Sequence, residues 1–331
     1  MSAEHKFVSS MQYGEEVEGF YLVESSQVRK TSSNPPRDYV DLALADKTGS
    51  IKSKVWNATE EDKAKYVKGC VVKLSAVVDK YNDQLVLKLK SIDVASDEDE
   101  YSVKDLIYSP VEGYLEGAEY KVAEYVESIK DKDLKTVVKY VLDKVGQAFY
   151  LFPASKSYHH NYPGGLAYHK LRMLELAEFL ASQRPFLDRD LLVAGVLVHD
   201  VAKVVEYELE NGVVKDYTTT GKLLGHIALA YEWVNEAVAA TGADSGSVKV
   251  LALKHLVLSH HGKGEWGSPV DPKTPEAVAL HYIDFIDAKL QAVEDAVARS
   301  KDTDEWTEPV KSLDGLKVFK TSSRPSAESD A

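Results

Sequence analysis

The sequence predicts two structured parts, a small β-barrel near the amino end and an all-α domain behind it. Residues 17–95 alternate apolar and polar side chains in short runs, a pattern typical of strands with one buried face. From Val103 onward, apolar residues recur at intervals of three and four, as they do in helices packed on a core. The acidic run 96–100 separates the two patterns, and we interpret it as a solvated linker.

The first part fits a five-stranded barrel of the OB type. Its five strand-like runs contain one helical insert, TEEDKAKYVK, and this is the pattern of a small Greek-key barrel. Such barrels bind single strands by combining basic residues with aromatic rings on which bases stack. The candidate contacts are Arg29, Lys30, Arg37, Tyr39, Lys54, Trp56 and Tyr81. Each aromatic residue has the alternative of belonging to the barrel core.

Charge is distributed unevenly along the 331 residues. The net charge of −13 comes from 40 basic and 53 acidic residues, which argues against a protein that coats nucleic acid by charge alone. Residues 1–95 carry 14 of each sign, so the remainder holds 26 basic against 39 acidic residues. A surface that contacts nucleic acid is therefore more plausible in the first part of the chain.

Other global features favour a cytoplasmic protein without a membrane partner. No apolar run approaches 18 residues, and the start MSAEHKFVSS lacks the basic and apolar regions of a signal peptide. The single cysteine, Cys70, excludes an internal disulfide framework and a cysteine-rich zinc site.

The segment Leu191–Lys203, LLVAGVLVHDVAK, predicts a helix buried on nearly all sides. It would carry His199 and Asp200 deep into the fold. Burying such a pair is costly unless something compensates, and a divalent metal accepts imidazole nitrogen and carboxylate oxygen together. For this pair alone, a hydrogen-bonded core histidine is an equal alternative.

The other histidines favour the metal. Nine of the ten lie within residues 159–281, beside apolar stripes of helical spacing. Around His226, for example, Leu223, Ile227 and Ala230 predict a shared inward face. Several inward polar residues converging on one pair are hard to satisfy without metal. The predicted ligands are His169, His199, Asp200, His226, His260, His261 and Asp284.

This ordered set resembles the ligands of the HD superfamily of metal-dependent phosphohydrolases. The longer motifs FPASKSYHHNYPGGLAYH, VLVHDVAKVVEYE, LSHHGKGEWGSPV and LHYIDFIDAKL resemble the YhaM family of 3′-to-5′ exoribonucleases, across residues 15–320. The resemblance implies an OB-type nucleic-acid-binding domain before an HD domain. It also implies release of nucleoside 5′-monophosphates from single-stranded RNA, with single-stranded DNA as a further candidate substrate and a homo-oligomer as a candidate assembly. Ala202 departs from the family, which usually has glycine there.

These observations predict four segments. Residues 1–95 form the OB-fold domain, 96–157 the linker and leading helices, 158–300 the HD domain, and 301–331 an extension with a disordered end.

Seven ligands exceed the needs of one ion, so we expect two divalent metals bridged by Asp200. The resemblance favours Mn²⁺, with Co²⁺, Fe²⁺ and Zn²⁺ as alternatives. Besides Asp200, the predicted catalytic residue is Lys203, which lies three positions later and could reach a substrate phosphate oxygen or the leaving group. The alternative for Lys203 is an ordinary lysine at a helix end. His159 and His160 precede a Pro-Gly-Gly turn and are candidate substrate contacts, with a structural role as the alternative.

Two other functions remain open at this stage. One is an HD phosphohydrolase of mononucleotides or cyclic dinucleotides with a regulatory barrel, although a small nucleotide does not need the barrel. The other is a non-catalytic single-strand-binding protein, against which the complete ligand set argues.

Overall fold

The computed structural model of the chain describes residues 5–82, 84–96, 98–101, 103–107, 114–156, 160–300 and 303–321. These residues form two compact units, which fall within residues 1–110 with 209–211 and within 111–208 with 212–331. Among them, the helices are all too short or too polar to cross a membrane.

The first unit contains a closed five-stranded barrel. Its strands are β1 (Glu16–Lys30), β2 (Asp38–Asp46), β3 (Gly49–Trp56), β4 (Val71–Tyr81) and β5 (Gln84–Val94). They pair in the order β1-β2-β3-β5-β4, and β1 also pairs with β4 to close the barrel. The β3–β5 pair is parallel and the others are antiparallel. This topology confirms the predicted five-stranded barrel of the OB type.

Alternation along the strands builds the barrel core. On β2, Val40, Leu42 and Leu44 are buried at every second position, because successive side chains of a strand point to opposite faces. The predicted helical insert is α1 (Glu60–Lys65), which begins at a reciprocal pair of hydrogen bonds between Thr59 and Asp62. A short helix, α2 (Val103–Leu106), follows the barrel.

The second unit is built mainly from helices. They are α3 (Ala118–Ser128), α4 (Lys132–Val145), α5 (Ala148–Leu151), α6 (Gly165–Gln183), α7 (Arg189–Val198), α8 (Lys203–Glu206), α9 (Thr219–Thr241), α10 (Val248–Ser259) and α11 (Pro275–Arg299). Helix α7 packs against α4, α6, α10 and α11, and every residue from 191 to 198 is buried. The predicted burial of this segment is confirmed.

Two local features differ from the sequence prediction. Helix α7 ends at Val198 rather than continuing to Lys203, so His199 and Asp200 lie in a turn at its carboxyl end. A hairpin of β6 (Tyr207–Glu210) and β7 (Val213–Tyr217) interrupts the helices. Its turn is Asn211-Gly212 with φ of 50° and 78°, and this dipeptide favours the tight turn of a two-residue hairpin.

Candidate metal centre

The seven predicted ligands meet in one buried region of the helical unit. His169 lies in α6, His199 and Asp200 directly follow α7, His226 lies in α9, His260 and His261 directly follow α10, and Asp284 lies in α11. They form two groups whose candidate ligand atoms lie within 4.8 Å of one another. The first group is Asp200, His226, His260 and His261, and the second is His169, His199 and Asp284.

Asp200 lies between the two groups and directs one carboxylate oxygen towards each. Its Oδ1 is 3.3 Å from His226 Nε2 and 3.4 Å from His260 Nε2. Its Oδ2 is 3.4 Å from His199 Nε2 and 3.8 Å from His169 Nε2. A carboxylate in this position can contact a cation in either group.

Three buried atoms test whether a cation fits. Within the described part of the chain, Asp200 Oδ1, His226 Nε2 and His260 Nε2 have no hydrogen-bond partner. A buried polar atom left in this state costs about 1–3 kcal/mol. A divalent cation would satisfy all three atoms at once, and mixed imidazole and carboxylate donors suit Mn²⁺, Fe²⁺, Co²⁺ and Zn²⁺. The residues present therefore fit a metal.

The protonation states also suit metal binding. Burial alone would raise the pKa of Asp200, but the charge of Lys203 holds that pKa well below its usual range. Asp284 behaves in the same way, because the His169 ring, whose Nε2 lies 3.3 Å from Asp284 Oδ1, lowers its pKa. Burial lowers the pKa of His199 to about 4 and that of His260 to about 3. At neutral pH, Asp200 and Asp284 are therefore carboxylate anions, and His199 and His260 are neutral imidazoles, which are the forms that coordinate metal.

Lys203 reaches the centre. Its Nζ donates to Asp200 Oδ2 at 2.6 Å, and its side chain is almost fully buried. Burial would lower its pKa, but the Asp200 carboxylate raises that pKa above the usual value, so the side chain is an ammonium ion.

Lys170 is a second lysine at the centre and was not among the residues predicted from the sequence. It is fully buried on α6, with Nζ 3.0 Å from Nδ1 and 3.1 Å from Nε2 of His199. His199 Nδ1 also lies 3.0 Å from the Val196 carbonyl oxygen, to which it can donate. Lys170 can therefore donate only to Nε2, the same nitrogen that faces Asp200.

His226 is held at a kink in α9. Gly225 has φ 71° and ψ 158°, values outside the helical range, and the Glu206 carboxylate accepts hydrogen bonds from the backbone N–H of His226. The kink corrects one sequence expectation. Leu223 was predicted to share the inward face with His226, but it is 78% exposed because it precedes the kink and faces another direction.

Asp287 orients His169 from behind. Its Oδ2 lies 2.7 Å from His169 Nδ1 and 2.7 Å from His160 Nε2. A carboxylate on Nδ1 fixes the ring so that Nε2 faces a metal. His160 is fully buried and its Nδ1 lies 2.7 Å from the Tyr162 hydroxyl, which favours a supporting role over the predicted substrate contact. The predicted contact at His159 lies outside the described residues.

In the barrel unit, the predicted aromatic residues gather around Lys54. Its Nζ lies 5.1 Å from the ring centres of both Tyr39 and Trp56, and 5.6 Å from that of Tyr81. The Tyr39 and Trp56 rings are 4.9 Å apart, since their residues are direct partners in the β2–β3 pair. Trp56 is 56% exposed and Tyr81 65% exposed, so both rings are available to a ligand. We call Tyr39, Lys54, Trp56 and Tyr81 the barrel cluster.

The other predicted basic residues of the barrel lie at the same end of β1 and β2. Arg29 is the strand partner of Tyr39, and its Nε lies 3.3 Å from Asp41. Lys30 is the strand partner of Asp38. Arg37 precedes β2 and donates to Asn57 Oδ1 at 3.3 Å. These residues add positive charge near the barrel cluster.

Comparison with known proteins decides the family. The HD domain family matches residues 166–289, the range that contains all seven predicted ligands, and the TraI_2 helicase family matches residues 123–187. The chain is 37% identical over 316 residues to the 3′-5′ exoribonuclease YhaM of Geobacillus sp. (strain WCH70), with 95% of each protein covered. This chain belongs to the YhaM family.

Solved structures similar to this YhaM-family chain include two of replication protein A from Methanococcus maripaludis. A crystal structure of one domain is 21% identical and covers 28% of this chain and 94% of that chain. A solution structure of the second OB-fold domain is 20% identical and covers 30% of this chain and 100% of that chain. The TM-score is 0.24 in both cases, so the OB-type assignment depends on the strand order described above.

Lys170 and Glu206 were not among the predicted site residues, although Lys170 lies next to a motif of the YhaM family and Glu206 lies within one. Lys170 directly follows His169 in GLAYHKL, and Glu206 follows Lys203 by three residues in HDVAKVVE. Neither partner could be inferred, because His199 is 29 positions and His226 20 positions away.

Proposed function

We propose that this chain is a metal-dependent 3′-to-5′ exoribonuclease that hydrolyses single-stranded RNA to nucleoside 5′-monophosphates. The named activity of its YhaM relative and the match to the HD domain support the reaction. The barrel cluster supports the substrate class, because stacked rings with a central cation suit single-stranded nucleic acid.

The position of Asp200 carries this proposal. Its two oxygens face different ligand groups, with Oδ1 3.3 Å from His226 Nε2 and Oδ2 3.4 Å from His199 Nε2. We infer two metal sites with Asp200 as the bridge. Bound divalent ions would lower the pKa of a water nucleophile and offset charge on the phosphate oxygens.

The protein side chains would hold the reacting groups in place. Lys203 keeps its charge beside Asp200, and we assign it a contact with a non-bridging phosphate oxygen. Asp287 and Glu206 would hold the rings of His169 and His226 with Nε2 directed to the metals. The enclosure of the centre by α6, α7, α10 and α11 would limit competing water.

Further parts of the proposal extend beyond the site. We propose Mn²⁺ as the first metal to test, with Co²⁺, Fe²⁺ and Zn²⁺ next. Single-stranded DNA is proposed as a second substrate, a homo-oligomer as the assembly, and the cytoplasm as the location.

Labelled RNA tests the proposed reaction. A single-stranded RNA with a 5′ label should shorten stepwise in Mn²⁺, and the same RNA with a 3′ label should release labelled mononucleotide at once. Both reactions should stop in chelator and in the Asp200→Asn variant, whose binding to RNA should persist. Immediate release of a mononucleotide from the 5′ label would contradict 3′ entry, and full turnover in Asp200→Asn would exclude the metal mechanism.

A further inference from the structure

Near the metal centre, three aromatic side chains form a partly exposed stack. Trp266 lies on the loop that follows His261, and Phe285 and His281 lie on α11. The ring centres of Trp266 and Phe285 are 6.2 Å apart with 21° between their planes, and those of Trp266 and His281 are 6.0 Å apart with 28°. Trp266 is 47% exposed and Phe285 40% exposed. We call Trp266, His281 and Phe285 the loop platform.

The loop platform is attached to ligands of both groups. His261 Nδ1 lies 2.7 Å from the Trp266 carbonyl oxygen, so it can donate there and leave Nε2 to a metal. His281 Nδ1 lies 2.9 Å from the carbonyl oxygen of His260, and Phe285 directly follows Asp284. The rings are therefore fixed relative to the reacting centre.

Gly262 permits this attachment. Its φ is 84°, and a Cβ at this position would lie 2.3 Å from the His281 ring. A side chain would therefore clash with His281 and strain the backbone. The loop passes directly over His281 and brings Trp266 to the exposed side.

Two lysines add positive charge to the stack. Lys263 Nζ lies 5.0 Å from the Trp266 ring centre, and Lys289 Nζ lies 5.1 Å from the Phe285 ring centre. Lys263 is exposed, and Lys289 also donates to the Ser312 carbonyl oxygen. Nearly parallel rings flanked by cations match a ligand with flat bases and phosphates. An aliphatic protein partner would need neither feature.

We infer that the loop platform is a base-stacking subsite for the 3′-terminal nucleotide of the substrate. The inference rests on the proposed function and adds where the strand end is held. Stacking on Trp266 would place the terminal base beside His261 and leave the scissile phosphate for the two ligand groups. Because stacking uses only the face of a base, the subsite accepts all four bases and requires that a base be present.

Removal of one base tests this directly. The substrates are a short single-stranded RNA and the same RNA with an abasic 3′-terminal nucleotide. Full-length wild type should bind the intact RNA about tenfold more tightly in chelator, where no hydrolysis is needed. Trp266→Ala should reduce this preference to about onefold, and Trp266→Phe should retain part of it. Because both RNAs share every other nucleotide, barrel binding cancels in the ratio.

Trp306→Ala is the matched control. Trp306 is 53% exposed, lies in the same unit, and has its ring centre 5.1 Å from that of Phe319, which is not part of the loop platform. It should keep the wild-type preference. The inference is overturned if Trp266→Ala still binds the intact RNA about tenfold more tightly than the abasic RNA. It is also overturned if Trp266→Ala keeps this preference and differs from wild type only in its oligomeric state, measured by light scattering.

The two proposals fail in different ways. If the exoribonuclease proposal is wrong, wild type does not shorten RNA in Mn²⁺. The preference for the intact 3′ end can still be measured in that case, because the binding assay in chelator does not require hydrolysis. If the subsite is wrong, wild type shortens RNA but binds intact and abasic ends equally.

Discussion

The Glu206 carboxylate holds His226 by its backbone and its ring together. Oε1 accepts the backbone N–H at 2.9 Å, and each carboxylate oxygen lies 3.0 Å from Nδ1. Because Gly225 breaks the helix just before His226, that N–H is among the donors at the start of a new helical segment. Glu206 thus caps the second half of α9 and directs Nε2 of His226 towards Asp200.

Glu206→Gln should therefore weaken metal binding. The glutamine has one acceptor oxygen instead of two and no charge to favour the Nδ1–H tautomer of His226. We expect a loss of about 10- to 100-fold in metal affinity, measured by calorimetric titration of the chelator-treated protein. Glu208→Gln, an exposed change two residues later on β6, should leave the affinity unchanged. Equal affinities for wild type and Glu206→Gln would remove Glu206 from the site.

A second variant, Lys170→Met, should have the opposite effect. Lys170 Nζ lies 3.1 Å from His199 Nε2 and is fully buried, so an entering metal must displace the amine from that nitrogen. Methionine has a similar length and no charge. We expect at least a tenfold gain in metal affinity in the same titration. Lys139→Met, an exposed change on α4, is the control. Weaker binding in Lys170→Met would instead show that the lysine helps to organise the ligands.

The stability of the metal-free protein should fall as the pH decreases below 6.5. Burial lowers the pKa of His199 to about 4 and that of His260 to about 3, so the unfolded chain binds more protons than the folded chain in this range. Each histidine then removes about 1.4 kcal/mol of unfolding free energy per pH unit. His160 and His261, whose pKa values burial also lowers, act in the same direction.

The other titrating groups of the centre act outside this window, and only His169 acts in the opposite direction. The pKa of His169 is raised, because hydrogen bonds to Asp284 and Asp287 outweigh its burial, so its contribution is lost only as the pH rises above 6.5. The depressed pKa of Asp287 matters only below the ordinary aspartate value of 3.8. Urea unfolding in chelator at pH 6.5, 5.8 and 5.0 measures the slope. His260→Gln should reduce the slope of unfolding free energy against pH by the contribution of one histidine. A wild-type unfolding free energy that does not change with pH would contradict the assignment of neutral histidines.

The sequence was sufficient to predict which side chains meet at the centre, but not which residues contact them from behind. His169 and His260 follow from apolar spacing within single helices, and the structure brings both to the centre. The contacts of Lys170 and Glu206 depend on residues from other elements, which local spacing does not contain. The kink at Gly225 was also not predicted, because the apolar spacing around Leu223 indicated a regular helix. Tertiary contacts of Glu206 make the break possible.

For the barrel, the alternation of apolar and polar residues was sufficient to predict a five-stranded barrel. It did not show whether each aromatic residue is part of the core or exposed. Period-two alternation places Val40 and Leu42 inside and does not distinguish a stacking ring from a core ring at a strand end. The structure shows that Trp56 and Tyr81 are not core residues, because both rings are exposed and lie around Lys54.

The barrel cluster should determine how tightly long strands bind. Trp56→Ala should weaken binding of a single-stranded oligonucleotide in chelator by about tenfold, because one stacked base loses its partner. Lys54→Ala should weaken it as well and reduce the slope of log affinity against log salt by about 0.7, the value for one phosphate contact on a single strand. Fluorescence anisotropy at several salt concentrations measures both.

Tyr13→Ala is the control for this prediction. Tyr13 is 65% exposed, matching Tyr81, but its cation partner is Lys80 rather than Lys54. It should change neither the affinity nor the salt slope. If Tyr13→Ala and Trp56→Ala weaken binding equally, the effect is general to exposed barrel aromatics and the cluster is not a defined site. If neither variant weakens binding, the oligonucleotide is bound elsewhere on the protein, and the barrel cluster is not its binding site.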